Sequence, residues 1–200
     1  MIEIKGLTKK YGDKTVFENL SLSFKKGACA VFTGASGVGK TTLLRVIAGL
    51  EAPDAGTVTG TEGLRPAFIF QENRLIPHLS ALGNILCVAP DRDKALHFLD
   101  QVGLADAKEK PAAALSGGMK RRLSIARALA YGGDVFYMDE PLRELDRDTE
   151  NRVKQLLFDE TRGKTVFLIS HDDAFARQMG DAVFSFTGEP MTLLRAGSEK

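Results

Sequence analysis

Two cysteines stand in 200 residues, Cys29 and Cys87, far apart and each inside an apolar run. That argues against a disulfide framework or a cysteine-based metal spacing. The pair reads as small buried hydrophobes of a reducing compartment. A dominant charge is also lacking. Lysine and arginine total 27 against 26 aspartates and glutamates, a net +1 that argues against a general polyanion binder. No apolar stretch approaches the ~20 residues needed to cross a bilayer. The N-terminal "MIEIKGLTKKYG" alternates apolar and charged residues as a strand does, unlike a secretion signal. Internal repeats and low-complexity tracts are missing. His78 and His97 stand alone and carry no assignment. The expectation is a chain soluble by itself, which leaves docking onto a membrane protein open.

What is present is enough apolar material, 44% of residues, for one sizeable core. The first 24 residues read as antiparallel strands, "IEIK" and then "TVFENLSLSF" with Leu20, Leu22 and Phe24 alternating. Later runs are continuously apolar: residues 28–33, 66–70, 134–138, 165–169 and 182–186. Strands covered on both faces, as in a parallel sheet, have that character. Helical periodicity separates several of them. Leu43, Leu44, Ile47 and Leu50 mark 40–50; Val153, Leu156 and Leu157 mark 149–162. Residues 93–102 read as a helix with Asp93 as its cap and Gly103 after its end. The expected class is α/β, mostly a parallel sheet with helices on both faces. Antiparallel strands lead it, and a small helical subdomain is inserted after Gln71.

"GASGVGKTT" gives Gly34, Ala35, Ser36, Gly37, Val38, Gly39, Lys40, Thr41 and Thr42, a full G-x-x-x-x-G-K-[ST] spacing after an apolar run and before a helical one. The glycines let backbone N–H groups turn inward around phosphate oxygens, and a helix N-terminus adds partial positive charge. Lys40 suits the outer phosphates, and a Thr41 hydroxyl suits Mg²⁺. "DVFYMDEP" ends a buried strand on Asp139 and Glu140, where α/β sheets hold ligands. One acid can hold Mg²⁺ through water, and the next can take a proton from an attacking water. Alone, the pair is two solvated acids; beside a phosphate loop it marks a P-loop NTPase.

"LSGGMKRRLSIARAL" then puts Ser116, Gly117 and Gly118 directly before a helix marked by Leu123, Ala126 and Ala130. Read by itself, Ser116 is an ordinary N-cap. With the other motifs in order, it resembles the signature of ABC ATPases, and the resemblance spans essentially the whole chain. Tyr11 matches the aromatic that stacks on adenine, Gly34 to Thr42 match Walker A, and Gln71 matches the Q-loop glutamine. Asp139 and Glu140 match Walker B and the catalytic glutamate, "PLRELD" ending at Asp146 matches the D-loop, and His171 matches the switch histidine.

The resemblance implies ATP and Mg²⁺ as cofactors, with Thr41, Gln71 and Asp139 toward the metal. It implies Glu140, Gln71 and His171 as catalytic groups. Nucleotide contacts fall to Tyr11, Gly34 to Thr42 and, from a second copy or close paralogue packed head to tail, Ser116, Gly117 and Gly118. It implies one ABC ATPase domain over 1–200, with core parts about 1–72 and 117–200 and a helical subdomain about 73–116. "FQENRLIPHLSALGNI" is similar to importer ATPases of the nitrate, sulfonate and taurine type. That implies integral membrane subunits docking near residues 72–86 against Leu75, Ile76, Leu79 and Leu82. A separate substrate-binding protein and a cytoplasmic place on the inner membrane face go with it. The alternative is a soluble ABC-type ATPase of assembly or repair; such proteins usually carry two cassettes or coiled coils. Arg143 stands where the family usually has a small serine, and Arg121 replaces a common glutamine. Lys120, Arg121, Arg122 and Arg127 read as a solvated helix face, with no nucleic-acid partner expected.

Overall fold

Alternating isoleucines open the fold. In strand β1 (Ile2–Tyr11) the side chains of Ile2 and Ile4 are buried, and β2 (Lys14–Phe24) pairs with it antiparallel, Ile2 opposite Phe24 and Ile4 opposite Leu22. Leu7 lies three residues past Ile4 yet is buried as well, because the register shifts between them. A regular strand would turn it to the other face. The computed structural model describes residues 1–198, so the last two residues of the expected 1–200 domain lie outside the described residues.

Strand β3 (Cys29–Gly34) starts a second sheet. Helix α1 is Lys40–Ile47, and β4 (Ala55–Thr59) returns to the free edge of β1 with Glu3 opposite Thr59. No expectation covered β4, because four of its five residues are exposed and no apolar alternation betrays it. Leu50, counted above in the first helix, lies beyond its end and is half exposed.

Strand β5 is Pro66–Ile69. Helices α2 (Ala81–Leu86), α3 (Arg92–Gln101) and α4 (Gly117–Tyr131) follow before β6 (Val135–Asp139). After α5 (Arg147–Thr161) come β7 (Thr165–Ile169), α6 (Asp173–Met179), β8 (Ala182–Thr187) and β9 (Thr192–Ser198). β6, β7, β3 and β8 lie side by side in parallel, with β9 antiparallel on β8. Every residue of β6 and β7 is buried, and so are the first four of β3, as expected of strands covered on both faces; β5 and β8, expected to be alike, are buried only at alternate positions. Phe24, Phe167 and Phe184 meet edge to face at 5.1–5.2 Å. Burying such a side chain stabilises by about 1.5–3 kcal/mol. Tyr137 is buried in β6, which pushes its hydroxyl pKa up to about 12.

The chain divides into two compact units. The phosphate-loop unit holds residues 1–66, 134–139 and the stretch from 163 on; the helical unit holds 67–133 and 140–162. The helical unit is therefore larger than the 73–116 expected for it. The reason lies in α4, whose Leu123, Ile125, Ala126, Ala128, Leu129 and Ala130 are all buried, and in α5, where Arg152 donates to the Asp100 carbonyl of α3 at 2.7 Å. Within this unit α3 is capped by Asp91, which accepts from Lys94 N at 3.0 Å, and not by Asp93. Asn84 is fully buried and bonds Ile76 through both its N–H and its carbonyl. Cys29 is buried as expected, but Cys87 is exposed, because it stands just past the end of short α2. Among the described residues, no helix is long and apolar enough to cross a membrane.

Candidate active site

β3 ends on Gly34 because nothing larger fits. Its φ is 138°, and an added Cβ would overlap the carbonyl oxygen of Phe186 on β8. Gly39 has φ 117°, and a Cβ there would stand 2.6 Å from a Val16 methyl. Between them Ala35, Ser36 and Gly37 are exposed, while Val38 is buried and pins the loop. Lys40 opens α1 with only 5% of its surface exposed, and its Nζ donates to the Gly34 carbonyl at 2.8 Å and the Ala35 carbonyl at 2.7 Å. A buried ammonium, the first turn of a helix and a loop of glycine-shaped backbone form a cradle for an anion with several oxygens.

The parallel register sets the rest of this unit's site. Ile169 of β7 is opposite both Phe32 of β3 and Asp139 of β6, so the carboxyl ends of the three strands are level. Asp139 is buried, and its Oδ2 accepts from the Thr41 hydroxyl at 2.9 Å. This joins two oxygen ligands of the kind a hard divalent cation takes. His171 is exposed two residues past β7, between Ser170 and Asp172, whose carboxylate caps α6. Tyr11 is half exposed at the end of β1, and its hydroxyl donates to Glu51. Burial, then that carboxylate, raise the tyrosine pKa, against an opposing hydrogen bond with Thr42. Glu51 carries no motif, so sequence reading missed it; Lys9, 3.4 Å from it, holds it in place.

In the helical unit, Ser116 accepts from Met119 N at 3.3 Å and so does cap α4. Gly117 and Gly118 have a reason inside this chain. A Cβ on Gly117 would lie 3.3 Å from a Glu144 carboxylate oxygen, and one on Gly118 would lie 3.1 Å from the Glu144 carbonyl. Glu140 has φ 48°, a left-handed conformation that non-glycine residues rarely take. The D-loop residue Asp146 caps α5 by accepting from Thr149 N at 3.0 Å, which lowers its pKa.

The basic run is not a solvated face. Arg121 is only 1% exposed and donates to four backbone carbonyls, those of Phe70, Gln71, Glu140 and Pro141. Arg122 donates to Val102 and Gly103, and Arg127 to Arg74 and Asn73.

Residues 17–143 match the family described as ABC transporter. The aliphatic sulfonates import ATP-binding protein SsuB 1 of Rhodococcus jostii is 38% identical over 198 residues, covering 96% of this chain and 81% of that protein. The dimeric structure of MJ0796, a bacterial ABC transporter cassette, superposes with a TM-score of 0.89 at 30% identity, over 100% of this chain and 99% of that one. A post-hydrolysis state of the same cassette, bound to ADP and Pi, gives a TM-score of 0.88 at the same identity and coverage. The P-loop fold, the level strand ends and the match across most of the motifs lead to one conclusion: this chain belongs to the ABC transporter family, as an ATP-binding cassette that hydrolyses ATP.

Proposed function

We propose that the chain drives import of a small solute by closing head to tail on a second copy, or a close paralogue, around ATP. The observation that carries the reading is the Lys40 cradle beside the Thr41–Asp139 oxygen pair, at the level ends of three parallel strands. Tyr11 stacks the base. Lys40 and the amides of Gly34 to Thr42 hold the phosphates. Thr41, Gln71 and Asp139 are the residues that would hold Mg²⁺, and the oxygen donors among them suit that ion. Bound there, Mg²⁺ neutralises charge on the phosphates.

Glu140 orients the attacking water and draws off its proton, and His171 contacts the γ-phosphate. Ser116, Gly117 and Gly118 present the N-terminal N–H groups of α4 to the partner's γ-phosphate. Because that phosphate bridges the halves, ATP favours the closed state and its cleavage releases it, a shift by differential affinity.

The coupling surface lies near residues 72–86, where Leu75, Ile76 and Leu79 are partly exposed; Leu82 is buried and takes no part. Asn84 fixes this stretch through its bonds to Ile76 and to the Leu79 and Ser80 carbonyls. Relatives bear the name of sulfonate importers, and that supports import by an inner-face peripheral subunit working with a permease and a binding protein. The test is to sequence the genes beside this one and co-express the chain with the permease subunits found there. Co-purification and solute-stimulated ATP turnover are expected. A chain that ignores those subunits and purifies with a soluble assembly would overturn the transport reading in favour of an assembly or repair ATPase.

A further inference from the structure

We infer that Arg121 is a positioning residue for ATP cleavage, a clamp that sets the backbone of Gln71 and Glu140 together. The inference rests on the reading of Glu140 as the water-activating group. Arg121 reaches 51 residues back to the Phe70 carbonyl and 19 forward to the Glu140 carbonyl. Its Nε donates to Pro141 at 2.9 Å, and the nitrogen that meets Phe70 also reaches Gln71 at 3.4 Å. One planar fork thus ties the stretch that follows Ile69 to the stretch that follows Asp139.

Burying a guanidinium this deeply is costly unless its donors are used, and here each nitrogen meets a carbonyl. The clamp acts where the chain is under strain. Glu140 sits at φ 48°, and its own carbonyl is one of the four accepted partners. Such a conformation costs about 1–3 kcal/mol and persists only where surroundings fix it. Lysine keeps the charge but offers a point donor on a flexible stem, so it cannot span both loops with fixed angles.

The test is a double-mutant cycle on the full chain with R121K and E140Q, reading kcat, ATP-analogue affinity and melting temperature. R121K should lower kcat by about 10- to 100-fold, as a displacement of about 1 Å in a catalytic group does, with nucleotide affinity unchanged. In the E140Q background it should lower the residual rate little further, since the group it positions is already disabled. An equal factor in both backgrounds, an unchanged kcat in R121K, or a loss of affinity that matches the loss of rate would overturn the clamp. If R121K does not fold, R121M carries the same cycle, since it keeps an unbranched side chain in the buried site and removes every donor of the fork. Full turnover in E140Q alone would instead fail the reading of Glu140 itself, so the two failures are told apart.

Discussion

The two units build their halves of the chemistry from different material. The phosphate-loop unit makes its site from backbone: Gly34 and Gly39 clear the way, α1 supplies its N-terminus, and Lys40 fills the centre. The helical unit makes its site from a side chain, with Arg121 reaching carbonyls far apart in sequence. A backbone site is local and tolerates few residue types, so it fixes a spacing. A side-chain clamp is non-local, and its acceptors are carbonyls that every residue possesses.

That contrast predicts unlike responses to substitution. The largest effect falls on rate alone, in the helical unit. Glu140→Gln should lose about 10²- to 10⁴-fold in turnover while binding ATP as before, measured by steady-state hydrolysis and nucleotide titration. Near-normal rates would erase the distinction between a binding unit and a cleaving one. The next effect falls on binding, in the other unit. Lys40→Ala removes a charged donor from the cradle and should weaken ATP by about 10- to 100-fold in Kd, since hydrogen bonds to charged groups contribute about 1.5–3 kcal/mol. The last effect, silent at pH 7, touches the sheet beneath the cradle. Burial holds the Tyr137 pKa at about 12 in the fold, above the unfolded value of about 10. Its contribution is therefore whole below pH 10 and is lost as pH rises toward 12, about 2–3 kcal/mol in all. Tyr137→Phe should flatten that decline in a pH series of melts and leave ATP binding at pH 7 unchanged.

The same contrast explains what could be read in the sequence. The glycine loop, Asp139 at a strand end and the five apolar runs as strands are legible, because φ restrictions and burial act residue by residue; that β5 and β8 are buried only at alternate positions is not legible in runs of unbroken apolar residues. β4 escaped because its few exposed residues lack a period, and α2 and α6 because they are too short to show one. The cap of α3 was misplaced by two residues, Asp93 for Asp91, since both are aspartates and only geometry separates them. Arg121 reads as a surface charge in the sequence for a deeper reason: its partners are backbone atoms 19 to 51 residues away, and composition says nothing of them. Gly117 and Gly118 were read as serving a partner's phosphate, and the structure adds the nearness of Glu144 in the same chain.

Most directly at stake is whether the two kinds of site meet between chains. Lys40→Ala damages the cradle, and Ser116→Arg blocks the signature helix; assayed at ATP above the unmodified Kd but well below the weakened one, each variant alone should be nearly inactive. Mixed in equal amounts, they form head-to-tail pairs in which one of the two sites joins an intact cradle to an intact helix tip. Turnover in the mixture should recover to roughly a quarter of the unmodified rate, from half the pairs being mixed and half their sites whole. A mixture as inactive as its components, while both variants still associate with the unmodified chain, would contradict the shared active centre.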